Sequence, residues 1–248
     1  LIEQKEKFHS HEEEILKMKK RTLLQELLIA NESEDQSKRL THDELVDQVA
    51  VLFFGGYDTT SNVISFCLNY LARNMGIQDH LRSRLIEAFP NGVEDILQSG
   101  LEGIEKIAYL SHFVNEVSRI CPLFMMSRDC LQDTEINGYK IKKGESVMID
   151  NIGIGQREDY WNNMKDLEQF RPERWTEHKP APLEAGLQFG FGGRVCPGRR
   201  LATYELKVFL SAALLNHRIV LRNPGEELEF NFNMGMNVIG GDINYIRI

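Results

Sequence analysis

The chain has 248 residues, 42% hydrophobic and 27% charged, enough to bury a substantial core as one large domain or two small ones. A formal net charge of −8 argues against a nucleic-acid binder, because duplex affinity comes mainly from Lys and Arg neutralising phosphates. The four cysteines, Cys67, Cys121, Cys130 and Cys196, show no C-x-x-C spacing, so reduced thiols are expected rather than a disulfide framework or a zinc site. Neither a basic-apolar-small leader nor an apolar run long enough to span a bilayer is visible.

Residues 3 to about 30 alternate charge blocks with Leu23, Leu24, Leu27 and Leu28, the pattern of a helix with one buried stripe. The polar stretch from Asn31 to Arg39 reads as an exposed loop. Thr41 followed by Glu44 is a capping box, whose hydroxyl and carboxylate satisfy orphan backbone N–H groups at a helix start. From there the pattern holds over residues 41–74, a rod on the order of 50 Å at ~1.5 Å per residue. Its middle, Val49 to Phe54, is apolar on every side, so the rod is expected to run through the protein interior. Gly55 and Gly56 follow, each costing about 1 kcal/mol relative to alanine inside a helix. Close helix packing is the plain explanation for them.

A second helix is expected over residues 108–121, stopping before Pro122 because a residue preceding proline avoids the helical region. Glu135 to Ile141 and Gly144 to Ile149 read as short strands, with Asn137-Gly138 and Lys143-Gly144 as turns. Asn151 to Leu187 reads as mostly irregular, residues 199–217 as a helix, and Glu227 to Ile248 as short strands around Gly235 and Gly240-Gly241. No internal repeat is present. The fold class is mainly α with small β-sheets.

The most specific feature is Phe189-Gly190-Phe191-Gly192-Gly193-Arg194-Val195-Cys196-Pro197-Gly198, running directly into the last long helix. A cysteine at a loop-to-helix junction meets the positive end of the helix dipole and backbone N–H groups, both of which stabilise a thiolate. The glycines permit a tight bend, and Arg194 adds a cation two residues away. This pattern resembles the haem-thiolate loop of the cytochrome P450 family. Three further matches follow in the family's order: Gly55-Gly56-Tyr57-Asp58-Thr59-Thr60 in the long helix, Glu116-Val-Ser-Arg119-Ile-Cys-Pro122 in the second, and Gln169-Phe-Arg-Pro-Glu-Arg174-Trp175 beyond it. The resemblance covers residues 41 to the end.

The resemblance implies the carboxy-terminal part of the P450 fold, with the amino-terminal half outside this sequence, and haem b (iron protoporphyrin IX) as cofactor. Cys196 is then the axial iron ligand, within a cradle of Phe189, Gly190 and Gly198 on one side and Gly55 and Gly56 on the other. Arg128 and Arg194 are the partners of the anionic haem propionates, although Arg128 also reads as a surface residue. Asp58 and Thr59 are the catalytic pair, Asp58 relaying protons from water and Thr59 holding hydrogen bonds at the oxygen site. Glu116, Arg119 and Arg174 form a buried charge network, structural rather than catalytic. Phe53, Phe54, Leu123, Phe124, Met125, Met126, Met236, Asn237 and Val238 face the substrate by position in the family; core packing explains each nearly as well. One departure is Gln156, where many members carry a histidine followed by Arg and Asp; it can donate a hydrogen bond but carries no charge.

The implied reaction is monooxygenation of a hydrophobic small molecule, with dioxygen as co-substrate and electrons from a reductase or ferredoxin docking near Arg194, Arg199 and Arg200. The alternative is a P450-fold isomerase or dehydratase acting on a peroxide without external oxygen, which the Asp58-Thr59 pair disfavours; a haem-based sensor or electron carrier is a third reading. The expected location is the cytoplasm, or the cytoplasmic side of a membrane reached through an amino-terminal segment absent here. The isolated half is expected to be inactive and to bind haem weakly or not at all.

Overall fold

The computed structural model describes residues 6–7, 12–18, 21–33, 35–178, 188–232 and 235–248. Two units emerge, Leu1–Tyr57 and Asp58–Ile248. In the first, α1 (Glu12–Lys17) and α2 (Leu23–Ser33) precede α3 (His42–Arg73). Ile15, Leu28 and Leu45 form its core, with Leu24, Leu27, Ile29 and Leu40 packed around them.

Two expectations for this unit are corrected. The amino-terminal pattern is not one helix, since Met18, Arg21 and Thr22 lie outside any helix. Thr22 and Gln25 form a capping box that starts α2 afresh: the Gln25 N–H donates to Thr22 Oγ1 at 3.2 Å, and the Thr22 N–H donates to Gln25 Oε1 at 2.8 Å. The stretch from Asn31 is likewise no simple loop, because α2 continues to Ser33 and Asn31 is buried. Its amide acts as a backbone surrogate, accepting from the Leu40 N–H at 2.7 Å and donating to the Leu40 carbonyl at 3.3 Å. Asp35 then accepts from the Ser37 N–H and caps a short 3-10 turn, Gln36–Lys38.

The Thr41–Glu44 capping box opens α3: the Thr41 N–H donates to Glu44 Oε2 at 2.8 Å, and the Glu44 N–H to Thr41 Oγ1 at 3.3 Å. The apolar middle of the helix is not interior in this chain. Val51 is 66% exposed, Phe53 74% and Phe54 51%, and Phe53 stacks on Tyr57 one turn on, at 6.2 Å between ring centroids. A Cβ added at Gly55 or Gly56 would meet nothing within 4 Å, so close packing does not explain these glycines here. Hydrophobicity states that a face needs covering, and Val51, Phe53 and Phe54 are left at least half exposed.

In the second unit, the later turns of α3 enter a core shared with α4 (Met75–Ala88), α5 (Val93–Glu105), α6 (Ala108–Ile120) and α9 (Arg199–Asn216). Phe66, Leu71, Leu81, Leu85, Ile104, Leu110, Phe113, Val117, Leu210 and Leu214 are its buried centre. Helix α6 ends before Pro122, with the Cys121 N–H still reaching the Val117 carbonyl. No helical pattern is expected over residues 75–107, where α4 and α5 form. Polar Gln78 occupies a buried position of α4, and α5 is broken internally at Gly100 (φ +58°); both blur the helical pattern.

Gln78 is fully buried and joins α4 to the strand that follows α9. It accepts from the Ile219 N–H at 2.9 Å and donates to the carbonyls of Ile219 at 2.8 Å and Leu71 at 2.9 Å. That strand, β5 (His217–Leu221), pairs antiparallel with β8 (Ile243–Arg247). Three further two-stranded antiparallel sheets are formed: β1 (Met126–Asp129) with β4 (Ser146–Ile149), β2 (Thr134–Ile136) with β3 (Tyr139–Ile141), and β6 (Glu229–Phe232) with β7 (Met236–Ile239). The β2–β3 hairpin turns on Asn137 (φ +49°) and Gly138 (φ +85°), the pair of positive φ values a two-residue hairpin requires.

The region after β4 holds α7 (Asn151–Gly155), a 3-10 turn at Glu158–Trp161, and α8 (Arg174–Glu177). Trp161, Leu167 and Trp175 give it a small core of its own. The part of the expected irregular stretch at residues 179–187 lies outside the described residues. Among the described residues no helix is long and apolar enough to cross a membrane, and all four cysteines are free thiols.

Candidate active site

The cysteine loop is closed by one backbone bond: the Cys196 N–H donates to the Phe189 carbonyl at 2.8 Å. Gly190 (φ +72°) and Gly192 (φ +65°) adopt left-handed conformations on the way round, which side chains other than glycine rarely take. A Cβ at Gly190 would lie 3.3 Å from Met126 Sδ, so this loop lies directly against β1. Gly198 occupies the N-cap of the 18-residue helix α9, and a Cβ there would touch Cys196 Sγ at 3.8 Å. Cys196 is thus a half-buried thiol held where α9 begins. Two thiols lie deep in the core, where burial pushes Cys67 above the usual thiol range and Cys121 up to about 11.

Arg128 stands on β1 opposite Val147, exposed, with Nη1 donating to the Ser127 carbonyl at 2.7 Å. Arg194 ends the 3-10 turn Gly192–Arg194 and is exposed, as are Arg199 and Arg200. None of these arginines has a carboxylate partner among the described residues.

The charged residues of the sequence motifs converge on Glu116. Its Oε1 accepts from Arg119 Nη2 at 2.9 Å, Arg174 Nε at 2.8 Å and the Arg171 N–H at 2.9 Å. Its Oε2 accepts from Arg119 Nε at 2.9 Å and Trp175 Nε1 at 2.9 Å. All three charged side chains are 0% exposed. The remaining guanidinium donors also find acceptors: Arg119 Nη1 reaches the Gly155 carbonyl at 3.0 Å, and Arg174 Nη2 the carbonyls of Asp166 and Gln169 at 2.8 Å. Trp161 lies against both cations, 5.6 Å from Arg119 Cζ and 5.9 Å from Arg174 Cζ. Burial pushes the Glu116 carboxyl up, but the Arg119 hydrogen bond and charge, the Arg171 N–H and Arg174 outweigh it and hold the group below the ordinary carboxylate range.

The i, i+3 spacing of Glu116 and Arg119 signals this network in the sequence. The contributions of Gly155, Asp166 and Trp161 carry no local signal, because they come from turns whose approach depends on the whole fold. Trp175 has a weak one, its place directly after Arg174.

Asp58 and Thr59 are half-buried on α3. The Asp58 carbonyl accepts from Ser61 Oγ at 2.9 Å and Asn62 Nδ2 at 3.0 Å, and no hydrogen bond among the described residues joins Asp58 to Cys196. The apolar candidates divide. Leu123, Met236 and Val238 pack on the main core, whereas Phe124 and Met125 are 39% and 38% exposed and Phe53 and Phe54 more so. Met126 faces the cysteine loop. The 123–126 and 235–238 segments are joined directly, the Met236 N–H donating to the Leu123 carbonyl at 2.8 Å, and Asn237 Nδ2 folds back to the Gly235 carbonyl at 2.8 Å. Gln156 is exposed, and its backbone N–H donates to the carbonyls of Gly153 and Ile154.

Fold and loop together define a mainly helical protein with small antiparallel sheets that carries a cysteine-bearing glycine turn at the start of its last long helix. The family model for cytochrome P450 matches residues 2–240. The chain is similar to cytochrome P450 3A9 of Rattus norvegicus, 36% identical over 185 residues, 73% of this chain and 35% of that protein. It is also similar to cytochrome P450 3A13 of Mus musculus, 33% identical over 219 residues, 86% of this chain and 42% of the other, and to cytochrome P450 3A31 of Mesocricetus auratus, 32% identical over 187 residues, 74% and 36%. The chain belongs to the cytochrome P450 family. It spans about a third of the length of the curated relatives it matches.

Proposed function

We propose that the whole protein is a haem-thiolate monooxygenase that hydroxylates or epoxidises a hydrophobic organic substrate, placing one atom of dioxygen in the product and the other in water. The observation that carries this reading is Cys196, a free thiol fixed by its own N–H to Phe189 at the head of α9. The donor set fits haem b: one thiol for the iron, and Arg128 and Arg194, free of carboxylate partners among the described residues, for two propionates. When bound, the haem supplies redox chemistry at iron, and a thiolate ligand favours O–O cleavage.

The protein's own part is positional and protonic. Cys196 holds the ligand sulfur; the glycine turn lets the backbone come close without side-chain interference. With haem in place, Asp58 would take protons from water and Thr59 Oγ1 would orient them toward the oxygen site. Phe124 and Met125 offer the substrate an apolar surface. Glu116, Arg119 and Arg174 are positioning residues, fixing α6 against the turns that precede the cysteine loop. Arg199 and Arg200 receive an acidic surface of the electron donor.

The exposed Val51, Phe53 and Phe54, and the open space at Gly55 and Gly56, support a second part of this reading. Residues 1–248 alone bind haem weakly or not at all. Turnover tests the reading. Product that requires both an electron donor and dioxygen, with one labelled oxygen atom incorporated from labelled dioxygen, supports it; rearrangement of an organic peroxide without either replaces it with isomerase or dehydratase chemistry.

A further inference from the structure

The sequence contains two Asn-Gly pairs, Asn91-Gly92 and Asn137-Gly138. Such a pair carries a reaction of its own: the glycine nitrogen can attack the asparagine Cγ, because no side chain shields it and glycine turns readily into the geometry of attack. The fold sets the two pairs in opposite circumstances. Asn91 is clasped by Asp95, its N–H donating to Asp95 Oδ2 at 2.7 Å and its Nδ2 to Asp95 Oδ1 at 3.1 Å. The attacking nitrogen is engaged as well, since the Gly92 N–H donates to the Phe89 carbonyl at 2.9 Å and Phe89 is buried in the main core. Gly92 is also the N-cap of α5, so this pair moves only if the junction of α4 and α5 moves.

Asn137-Gly138 is the turn of the β2–β3 hairpin. All of residues 131–140 are exposed, and among the described residues neither the Asn137 side chain nor the Gly138 N–H has a hydrogen-bond partner. Three residue pairs join the strands, and no residue of either strand is buried. A two-stranded hairpin of that kind is marginal and opens readily.

We propose that Asn137 is a site of spontaneous hydrolytic modification and that Asp95 guards Asn91 from the same reaction. When the turn opens, the Gly138 nitrogen bonds to Asn137 Cγ, the Cγ–Nδ2 bond breaks, and ammonia leaves with the proton that the Gly138 nitrogen gives up. Water then opens the five-membered imide at either carbonyl, giving aspartate or isoaspartate. No electron is transferred, neither step involves haem, and each conversion makes the chain more acidic. Aspartate is compatible with the left-handed turn, in which Asn137 has φ +49° and Gly138 φ +85°. Isoaspartate carries the backbone through the side-chain methylene, so the turn gains an atom that the pairing of Ile136 with Tyr139 does not accommodate.

The test ages the full-length protein in mildly alkaline buffer and follows by mass spectrometry the gain in mass when an amide becomes an acid. Trypsin places the two pairs on separate peptides, residues 85–106 and 129–140. In the folded protein Asn137 is expected to convert at least about tenfold faster than Asn91, the scale on which hydrogen bonds to a charged acceptor slow a step that must break them. In guanidinium-unfolded protein the two rates are expected to agree within about twofold, because the chain then holds neither pair in place. Asp95→Ala is expected to speed Asn91 by about tenfold and to leave Asn137 unchanged. Equal rates in the folded protein, an Asn137 that converts only after unfolding, or an Asn91 indifferent to Asp95→Ala overturns the proposal. If Asp95→Ala fails to fold, the parent decides alone: a ratio of the Asn137 rate to the Asn91 rate that is higher folded than unfolded sustains the guard, and an unchanged ratio overturns it.

Discussion

Trp175 Nε1 donates to Glu116 Oε2 at 2.9 Å, deep in a cluster where the carboxylate is already shared by two buried guanidinium groups. An indole N–H has no other use for its proton, so this bond orients the ring that packs edge-on to Trp161 at 4.9 Å. Trp175→Phe removes one donor to a charged acceptor and is expected to cost about 1.5–3 kcal/mol. Glu116→Ala leaves Arg119 and Arg174 buried without their shared counter-charge and is expected to cost about 3–5 kcal/mol. Urea midpoints of the purified variants measure both, and a Glu116→Ala cost no larger than that of Trp175→Phe would contradict the central place given to the carboxylate.

The same carboxylate has a pH signature. Its folded pKa lies below the ordinary value, while an unfolded Glu titrates near about 4.3. Its stabilising contribution is therefore complete above about pH 4.3 and drains away as the pH falls through the folded value. The stability gap between the native protein and Glu116→Gln is expected to be widest near neutrality and to narrow on acidification. Midpoints collected from pH 7 down to pH 3 check this; a gap that widens toward acid would contradict it.

Gly155 is a second point where the network tolerates no addition. A Cβ there would lie 3.0 Å from the Arg119 carbonyl oxygen and 3.1 Å from Arg119 Cγ. Gly155→Ala is expected to destabilise by about 1–3 kcal/mol through overpacking. Gly193→Ala is the control, since a Cβ at Gly193 would meet nothing within 4 Å. Thermal midpoints of the two variants should separate clearly, and equal midpoints would contradict the packing argument.

Gln78 tests how a side-chain amide can stand in for a strand. Gln78→Leu keeps the bulk but takes the side-chain partner from the Ile219 N–H and the Ile219 carbonyl in the core, while the Leu71 carbonyl keeps the Asn74 N–H at 3.3 Å. A loss of about 1–3 kcal/mol is expected, with faster hydrogen exchange at the Ile219 amide. An Ile219 amide as protected in the variant as in the native protein would show that another group takes over the bond.

What the sequence discloses and what it hides follows the range of the interactions. The Thr41–Glu44 cap, the Asn137-Gly138 turn and the stop before Pro122 are local, and each is legible in a few neighbouring residues. Thr22 and Gln25 use the same capping grammar, but the leucine stripe running across them masks the break. Asn31 and Gln78 are unreadable for a different reason: an amide that bonds to distant backbone looks like any surface amide until its partner is known. Val49 to Phe54 show the limit of hydrophobic pattern, which identifies a face that needs covering without revealing whether this chain covers it. In the site, the Phe189–Gly198 loop is legible because ten consecutive residues carry it. The close approach at Gly155 appears only once the turns are in place.

The central claim is that Cys196 is a thiolate ligand to haem iron, and the most direct measurement is the absorption spectrum of the reduced, carbon-monoxide-bound full-length protein beside its Cys196→Ser variant. A strongly red-shifted Soret band in the parent that disappears in the variant is the predicted result. An unshifted band, a parent without haem, or a red-shifted band that survives Cys196→Ser would contradict it.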